Sequence, residues 1–145
     1  MTAEHWWVVV HLAGTGAMVG FIWTIQLLSY PMMAAVPARD FPAYEAEHTR
    51  RVTWTLAVLA PVEVVAAAGV ALFVPAVPSW LSIGAGGVLV AIWVSTGVYY
   101  APVHGRLSDG FDAALHRRLV ATNWLRTVAW TGRGAAAIAM VAVAT

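Results

Sequence analysis

Four long apolar runs constrain this chain more than any other feature. The first, from about Trp6 to Tyr30, and the third, from about Trp80 to Ala101, contain no Asp, Glu, Lys or Arg. The second runs from about Val52 to Val74 and is broken by Pro61 and Glu63. The fourth runs from about Leu119 to Val143 and carries Arg126 and Arg133. A helix needs ~20 mostly apolar residues to cross ~30 Å of hydrocarbon. Backbone polar groups in lipid must be satisfied within the segment, so each run is predicted to be a helix. The expected architecture is an all-α integral membrane protein. It is an antiparallel bundle of four transmembrane helices, a single membrane domain over residues 1–145.

Composition excludes the common alternatives. Hydrophobic residues make up 61% and charged residues 10%, where a soluble domain averages about 45–50% apolar and about 25% charged. Such a chain is not expected to be a soluble enzyme or a disordered segment. With a net charge of +1 it is not a basic nucleic-acid binder either. Its first partner is the lipid bilayer. The absence of Cys excludes disulfides, thiolate metal ligands and Cys nucleophiles.

The basic residues set an orientation. All eight are Arg, and Arg39, Arg50, Arg51, Arg106, Arg117 and Arg118 fall in or beside the connections 31–51 and 102–118. The short turn Pro75-Ala76-Val77-Pro78-Ser79 and both termini have none. By the positive-inside rule, the two polar connections are cytoplasmic and both termini lie outside. Residues 1–5 carry no positive charge and precede no clear cleavage site, so the first run is read as a retained helix rather than a signal peptide.

An ungapped shift of seventy residues aligns the chain with itself. Gly14 and Gly16 meet Gly84 and Gly86, and Ile22-Trp23 meets Ile92-Trp93. Tyr30 meets Tyr100, Phe41 meets Phe111, and Trp54 meets Trp124. The aromatic matches carry weight that alanine matches would not. They imply two tandem helical hairpins, about 6–74 and about 80–143, related by a pseudo-two-fold along the membrane normal. The same shift pairs Glu63 with Arg133, and so predicts an intramembrane ion pair, with Arg126 as the competing partner. A charge at the centre of a membrane helix costs ~2.5–3.5 kcal/mol, so all three should face inward. One Glu cannot neutralise two Arg, which leaves a surplus positive charge suited to an anionic ligand.

Polar and aromatic stripes converge at the depth of these charges. Trp23, Gln26 and Tyr30 share one face of the first helix. Phe41, Tyr44, His48 and Arg51 share another, which predicts that the second helix begins before it enters the bilayer. Trp93, Thr96, Tyr100 and then His104 mark the third, and His116, Asn123, Thr127 and Trp130 the fourth. Interhelical hydrogen bonding accounts for some of them. Together they predict a polar pocket in the cytoplasmic half, walled by Trp23, Trp54, Trp93, Trp124 and Trp130. Glu63, Arg126, Arg133 and Tyr100 are the candidate catalytic groups, with Glu63 as the acid or base. Gln26, Tyr30, His48, Arg51, Trp93, Asn123 and Trp130 are the candidate ligand contacts.

No metal site is assigned. His11, His48, His104 and His116 are the candidate ligands, but the sequence has no HxxxH or HExxH spacing. Glu45 and His48 have the order of half a di-iron motif, and the second half is missing. The opening His11…Gly14…Gly20-x-x-Trp23 faintly resembles the small four-helix haem membrane proteins, including the bacterial protoporphyrinogen oxidase type. The cofactor is therefore open, between none, haem and a divalent metal. A broader resemblance rests on Gln26-x-x-x-Tyr30-Pro31, Phe41-x-x-Tyr44-x-x-x-His48-x-x-Arg51 and Asn123-Trp124-x-Arg126-Thr127. Together they resemble a group of small bacterial four-helix membrane proteins of about this length with no assigned activity. It implies a multi-pass protein of the bacterial cytoplasmic membrane.

The favoured function is binding or transformation of a small lipophilic molecule in the pocket. Three alternatives stand beside it. One is a small transporter acting as a homodimer, the second a haem- or metal-binding redox protein, the third a structural or assembly subunit.

Overall fold

The computed structural model describes residues 2–144. It is all helical among those residues, and four of its helices are long and apolar enough to cross a membrane. They are α1 (Ala3–Met33), α2 (Phe41–Phe73), α3 (Ser79–Ser108) and α4 (Ala113–Ala144). Each exceeds the apolar run from which it was inferred. The connection expected over 31–51 shrinks to residues 34–40, and that over 102–118 to residues 109–112. The stripe Phe41-Tyr44-His48 explains the first difference, because α2 already buries Phe41 and Glu45 in its first turns. At the second, Asp112 caps α4: its carboxylate accepts from the amides of Ala114 at 2.8 Å and Leu115 at 2.9 Å. Those two bonds to the charged form hold the Asp112 carboxyl below its usual value.

Pro61, which interrupts the apolar run, does not interrupt the helix, and α2 runs through it. Neighbouring helices and local adjustment make an interior proline tolerable in such a helix. Two other prolines leave a clearer mark. α1 widens into a π-turn over Ile25–Ser29 just before Tyr30-Pro31, and α3 does so over Thr96–Tyr100 just before Ala101-Pro102. Proline lacks the N–H for the i−4 carbonyl and its ring crowds that carbonyl. A wider turn relieves both problems, and such turns tend to mark functional places.

α1 and α3 each pack against both α2 and α4. The main core joins Met18, Ile22, Met33, Phe41, Ile92, Leu107 and Leu119. A second core near the termini joins Val8, Val70, Val74, Val77 and Met140. The outward faces are apolar as well. Trp54, Leu72, Trp80, Ile83, Val98, Leu125 and Val128 are each more than 60% exposed, a belt suited to lipid rather than water.

A tight contact between α1 and α2 depends on Gly69. A Cβ there would lie 2.0 Å from Cε3 of Trp7, whose ring stacks on Phe73 at 5.8 Å. Gly16 faces nothing within 4 Å. Gly69→Ala is therefore expected to destabilise by about 1–3 kcal/mol through overpacking, and Gly16→Ala to leave stability unchanged. Thermal unfolding of the detergent-purified variants measures the difference.

Candidate functional site

Two buried polar clusters each tie all four helices together, and a pocket lies beside one of them. The first cluster centres on Glu63 of α2, which is fully buried. The Thr15 hydroxyl of α1 lies 3.0 and 2.9 Å from its two carboxylate oxygens. Arg133 of α4 donates to the same carboxylate and also to the Ala85 carbonyl of α3. His11 of α1 stands alongside, its Nε2 3.4 Å from Arg133 and 3.8 Å from Glu63. Gly14 makes room, since a Cβ there would come within 3.3 Å of Glu63 Oε2. Of the two arginines that competed for Glu63, it is Arg133 that the fold brings to it.

The second cluster centres on Glu45 of α2, also fully buried. His104 of α3 places Nδ1 2.5 Å from its carboxylate. With that nitrogen donating to the carboxylate, Nε2 is left as an acceptor, and the Tyr30 hydroxyl of α1 donates to it at 2.9 Å. His116 of α4 donates from Nε2 to the Tyr30 carbonyl at 2.8 Å. That carbonyl lies in the last turn of α1, where helix carbonyls lack internal partners. The result is a carboxylate–imidazole–phenol relay, Glu45–His104–Tyr30.

The pocket, about 350 Å³, opens between α2 and α3 next to this relay. Its apolar wall includes Phe21, Ile22, Val52 and Leu56. Its polar side brings together Tyr30, His48, Tyr100, His104 and Arg126. Both π-turns reach it, through Ile25 and through Thr96 and Tyr100. Arg126 lies over the Tyr100 ring, 4.4 Å from its centroid, a cation–π distance. Its Nη1 reaches Asn123 Oδ1 at 3.3 Å, and its Nε is buried with no hydrogen-bond partner. Among the described residues no carboxylate forms a salt bridge with Arg126. His48 stacks between Tyr44 at 6.3 Å and His104 at 5.8 Å.

The fold thus separates residues that the sequence had grouped. Glu63 does not line the pocket, and Arg133 reaches only a second, apolar cleft between α3 and α4. Gln26 and Asn123 bond to each other at 2.8 Å, buried at the interface of α1 and α4. Arg51 is exposed and held by Glu47. None of the five tryptophans lines the pocket. Trp54 and Trp124 point outward, Trp93 packs on the core, and Trp130 is buried below Arg133 at 5.5 Å. Glu45, Thr49, Thr53 and Gly105 are site residues that the stripe reading left out. Glu45 had a signal, because a carboxylate one turn after Phe41 lies on the face that Phe41 buries.

Among the described residues no group of three or more His, Cys, Asp or Glu stands close enough to hold a metal ion. His11 lines neither the pocket nor the cleft. No protein-family model, curated protein or solved structure matches the chain, so its chemistry is read from its own residues.

Removing one partner of a buried ion pair leaves the other charge uncompensated, at a cost of about 3–5 kcal/mol. Glu63→Gln is expected to destabilise the purified protein by that order. Glu63→Leu combined with Arg133→Met should recover most of the loss, and denaturant unfolding in micelles reads both.

Proposed function

We propose that this chain is a multi-pass membrane protein that binds a small lipophilic molecule in the pocket between α2 and α3. One observation carries the reading. The pocket joins an apolar wall to a polar group whose bonding capacity is partly unused: among the described residues the Arg126 guanidinium has no carboxylate, and its buried Nε has no hydrogen-bond partner. Away from the pocket, Gln26, Asn123 and Thr127 bond to one another. Pockets of this size with a few convergent polar groups are the usual form of small-molecule sites. The Glu45–His104–Tyr30 relay adds a phenol able to give or take a proton at the pocket wall, so acid–base chemistry on the bound molecule is within its reach.

The same proposal includes the topology: an antiparallel bundle of two tandem hairpins in the bacterial cytoplasmic membrane, with the pocket in the cytoplasmic half. Its support is the pattern of contacts. Residues 11, 23 and 30 of α1 meet residues 133, 131 and 116 of α4, so partners descend as the chain ascends. Two contacts join positions seventy residues apart, Glu63 with Arg133 and Phe41 with Phe111, whose rings lie 4.8 Å apart. Positions related by a two-fold touch only at its axis. Two such contacts far apart along α2 favour an axis running lengthwise. The recurrence of a π-turn in α1 and α3 fits the same symmetry.

Two experiments test these points. Organic extraction and mass spectrometry of protein purified from its native membrane should recover one lipophilic species in stoichiometric amount. Gly105 lines the pocket and a Cβ there would meet nothing within 4 Å, so Gly105→Phe should fill the space, fold normally and abolish the co-purified species. Recovery of the same species from that variant would sink the reading. For orientation, the absence of native Cys gives a clean background. Ala3→Cys should react with an impermeant maleimide on intact cells, and Asp109→Cys only after permeabilisation.

A further inference from the structure

We infer that the molecule held in this pocket is an amphiphile with an anionic head, a carboxylate or a phosphate, and that Arg126 is its counter-charge. The inference rests on the proposed binding role of the pocket and names the class of ligand.

Charge is the first argument. Two carboxylates lie buried within the bundle, and neither is available to Arg126. Glu63 is bonded by Arg133 and Thr15. Glu45 is bonded by His104. The remaining acidic residues of α2 and its flanks serve other arginines at the exposed end, Glu47 holding Arg50 and Arg51, and Asp40 holding Arg39. The immediate neighbours of Arg126 are neutral: Asn123, and the phenols of Tyr30 and Tyr100. A guanidinium always carries its charge and presents a planar set of donors that matches carboxylate and phosphate oxygens. Here one of those donors, Nε–H, is buried without a partner, and the side chain is held in place by stacking on Tyr100. An anchored, unpaired guanidinium lining a cavity is the arrangement that an incoming anion completes.

The shape of the pocket supplies the second argument, and it selects an amphiphile over a free anion. Arg126 shares the pocket with an apolar lining that includes Ile22, Val52 and Leu56. The mouth is formed by exposed residues on the flank of the bundle, Thr53 on α2 and Ala101 and Gly105 on α3. Nearby on these two helices, Trp54 and Val98 are 64% and 72% exposed. Those side chains belong to the lipid-facing belt, so the mouth opens toward hydrocarbon. A molecule entering from that side brings an apolar chain and can leave it in the bilayer while its head reaches Arg126. The Thr53 hydroxyl lines the same space and offers a further donor to the head, whereas those of Thr49 and Tyr30 already donate to the Glu45 carbonyl and to His104.

The test compares ligands that differ only in the head. Oleate, oleyl phosphate and oleyl alcohol are titrated against the full chain in an uncharged detergent at pH 8, with native mass spectrometry and equilibrium competition as readouts. At least one of the two anions should bind about tenfold or more tightly than the alcohol. Arg126→Gln should abolish that preference, so that anions and alcohol bind alike. Arg126→Lys, which retains the charge and serves if the Gln variant does not fold, should keep a reduced preference. Inorganic phosphate should not compete. Equal binding of anions and alcohol, all excluded by Gly105→Phe, would overturn the anionic head and leave the pocket reading intact. Competition by inorganic phosphate at comparable concentration would overturn the amphiphile. Binding of every probe indifferent to Gly105→Phe would overturn the pocket reading itself.

Discussion

The Glu63–Arg133 ion pair is the contact on which the arrangement of the four helices depends. Lipid supplies no hydrophobic force between helices, since its tails are as apolar as the side chains they surround. Packing and polar contacts must therefore set the neighbours and the register. Glu63 takes hydrogen bonds from Thr15 of α1 and from Arg133 of α4, and Arg133 also caps a carbonyl of α3. One carboxylate and one guanidinium thus fix a point on every helix. A buried pair is a weak source of net stability, but a shift of α2 against α4 by one residue would leave a charge unpaired, and a shift of α1 or α3 would strip the pair of a hydrogen bond. The pair acts chiefly on specificity of packing, and Gly14 provides the space in which it forms.

The Glu45–His104–Tyr30 cluster does the same eighteen residues further along α2, a distance of about 27 Å at 1.5 Å per residue. It too draws on all four helices, through His116 and the Tyr30 carbonyl. Fixed near its two ends in this way, the bundle can tolerate a less tightly packed region between the clusters. The pocket occupies that region, where α2 and α3 part and both π-turns widen the backbone. Rigidity at the clusters and room between them are linked: a site that holds a ligand in place needs surroundings that do not collapse when it is empty.

The four helices, and the pairing of Glu63 with Arg133, were legible because each follows from a strong physical constraint. Apolar runs of span length leave few alternatives to helices, and two charges at equivalent positions in a low-dielectric interior attract each other. The internal composition of the site was not legible, for a reason the geometry makes plain. A helical stripe says which residues share a face, but not whether that face meets a partner or a void. Gln26 and Asn123 lie on polar stripes and meet each other. Tyr30 and Tyr100 also lie on such stripes and meet a cavity. Trp54 and Trp124, aligned by the internal register, were read as pocket walls and instead lie exposed on the outside of the bundle. The π-turns were hidden because no periodicity records them. Only Pro31 and Pro102 mark the places where they form.

Charge counting from the sequence alone left one arginine over, but by an incomplete route. Weighing Glu63 against Arg126 and Arg133 leaves one positive charge over, but it ignores Glu45, which lies in the run-up to the second apolar stretch and is buried as deeply as Glu63. Counted over the whole bundle, two carboxylates face two guanidiniums, and composition would permit two ion pairs. Only one forms. Glu45 is turned toward His104, and Arg126 is left facing Tyr100 and the pocket. The unpaired charge is therefore a property of the fold rather than of the amino-acid count. A half-buried arginine that packs this closely against an aromatic ring, with a carboxylate elsewhere in the bundle committed to an imidazole, is placed for a partner that the described residues do not provide.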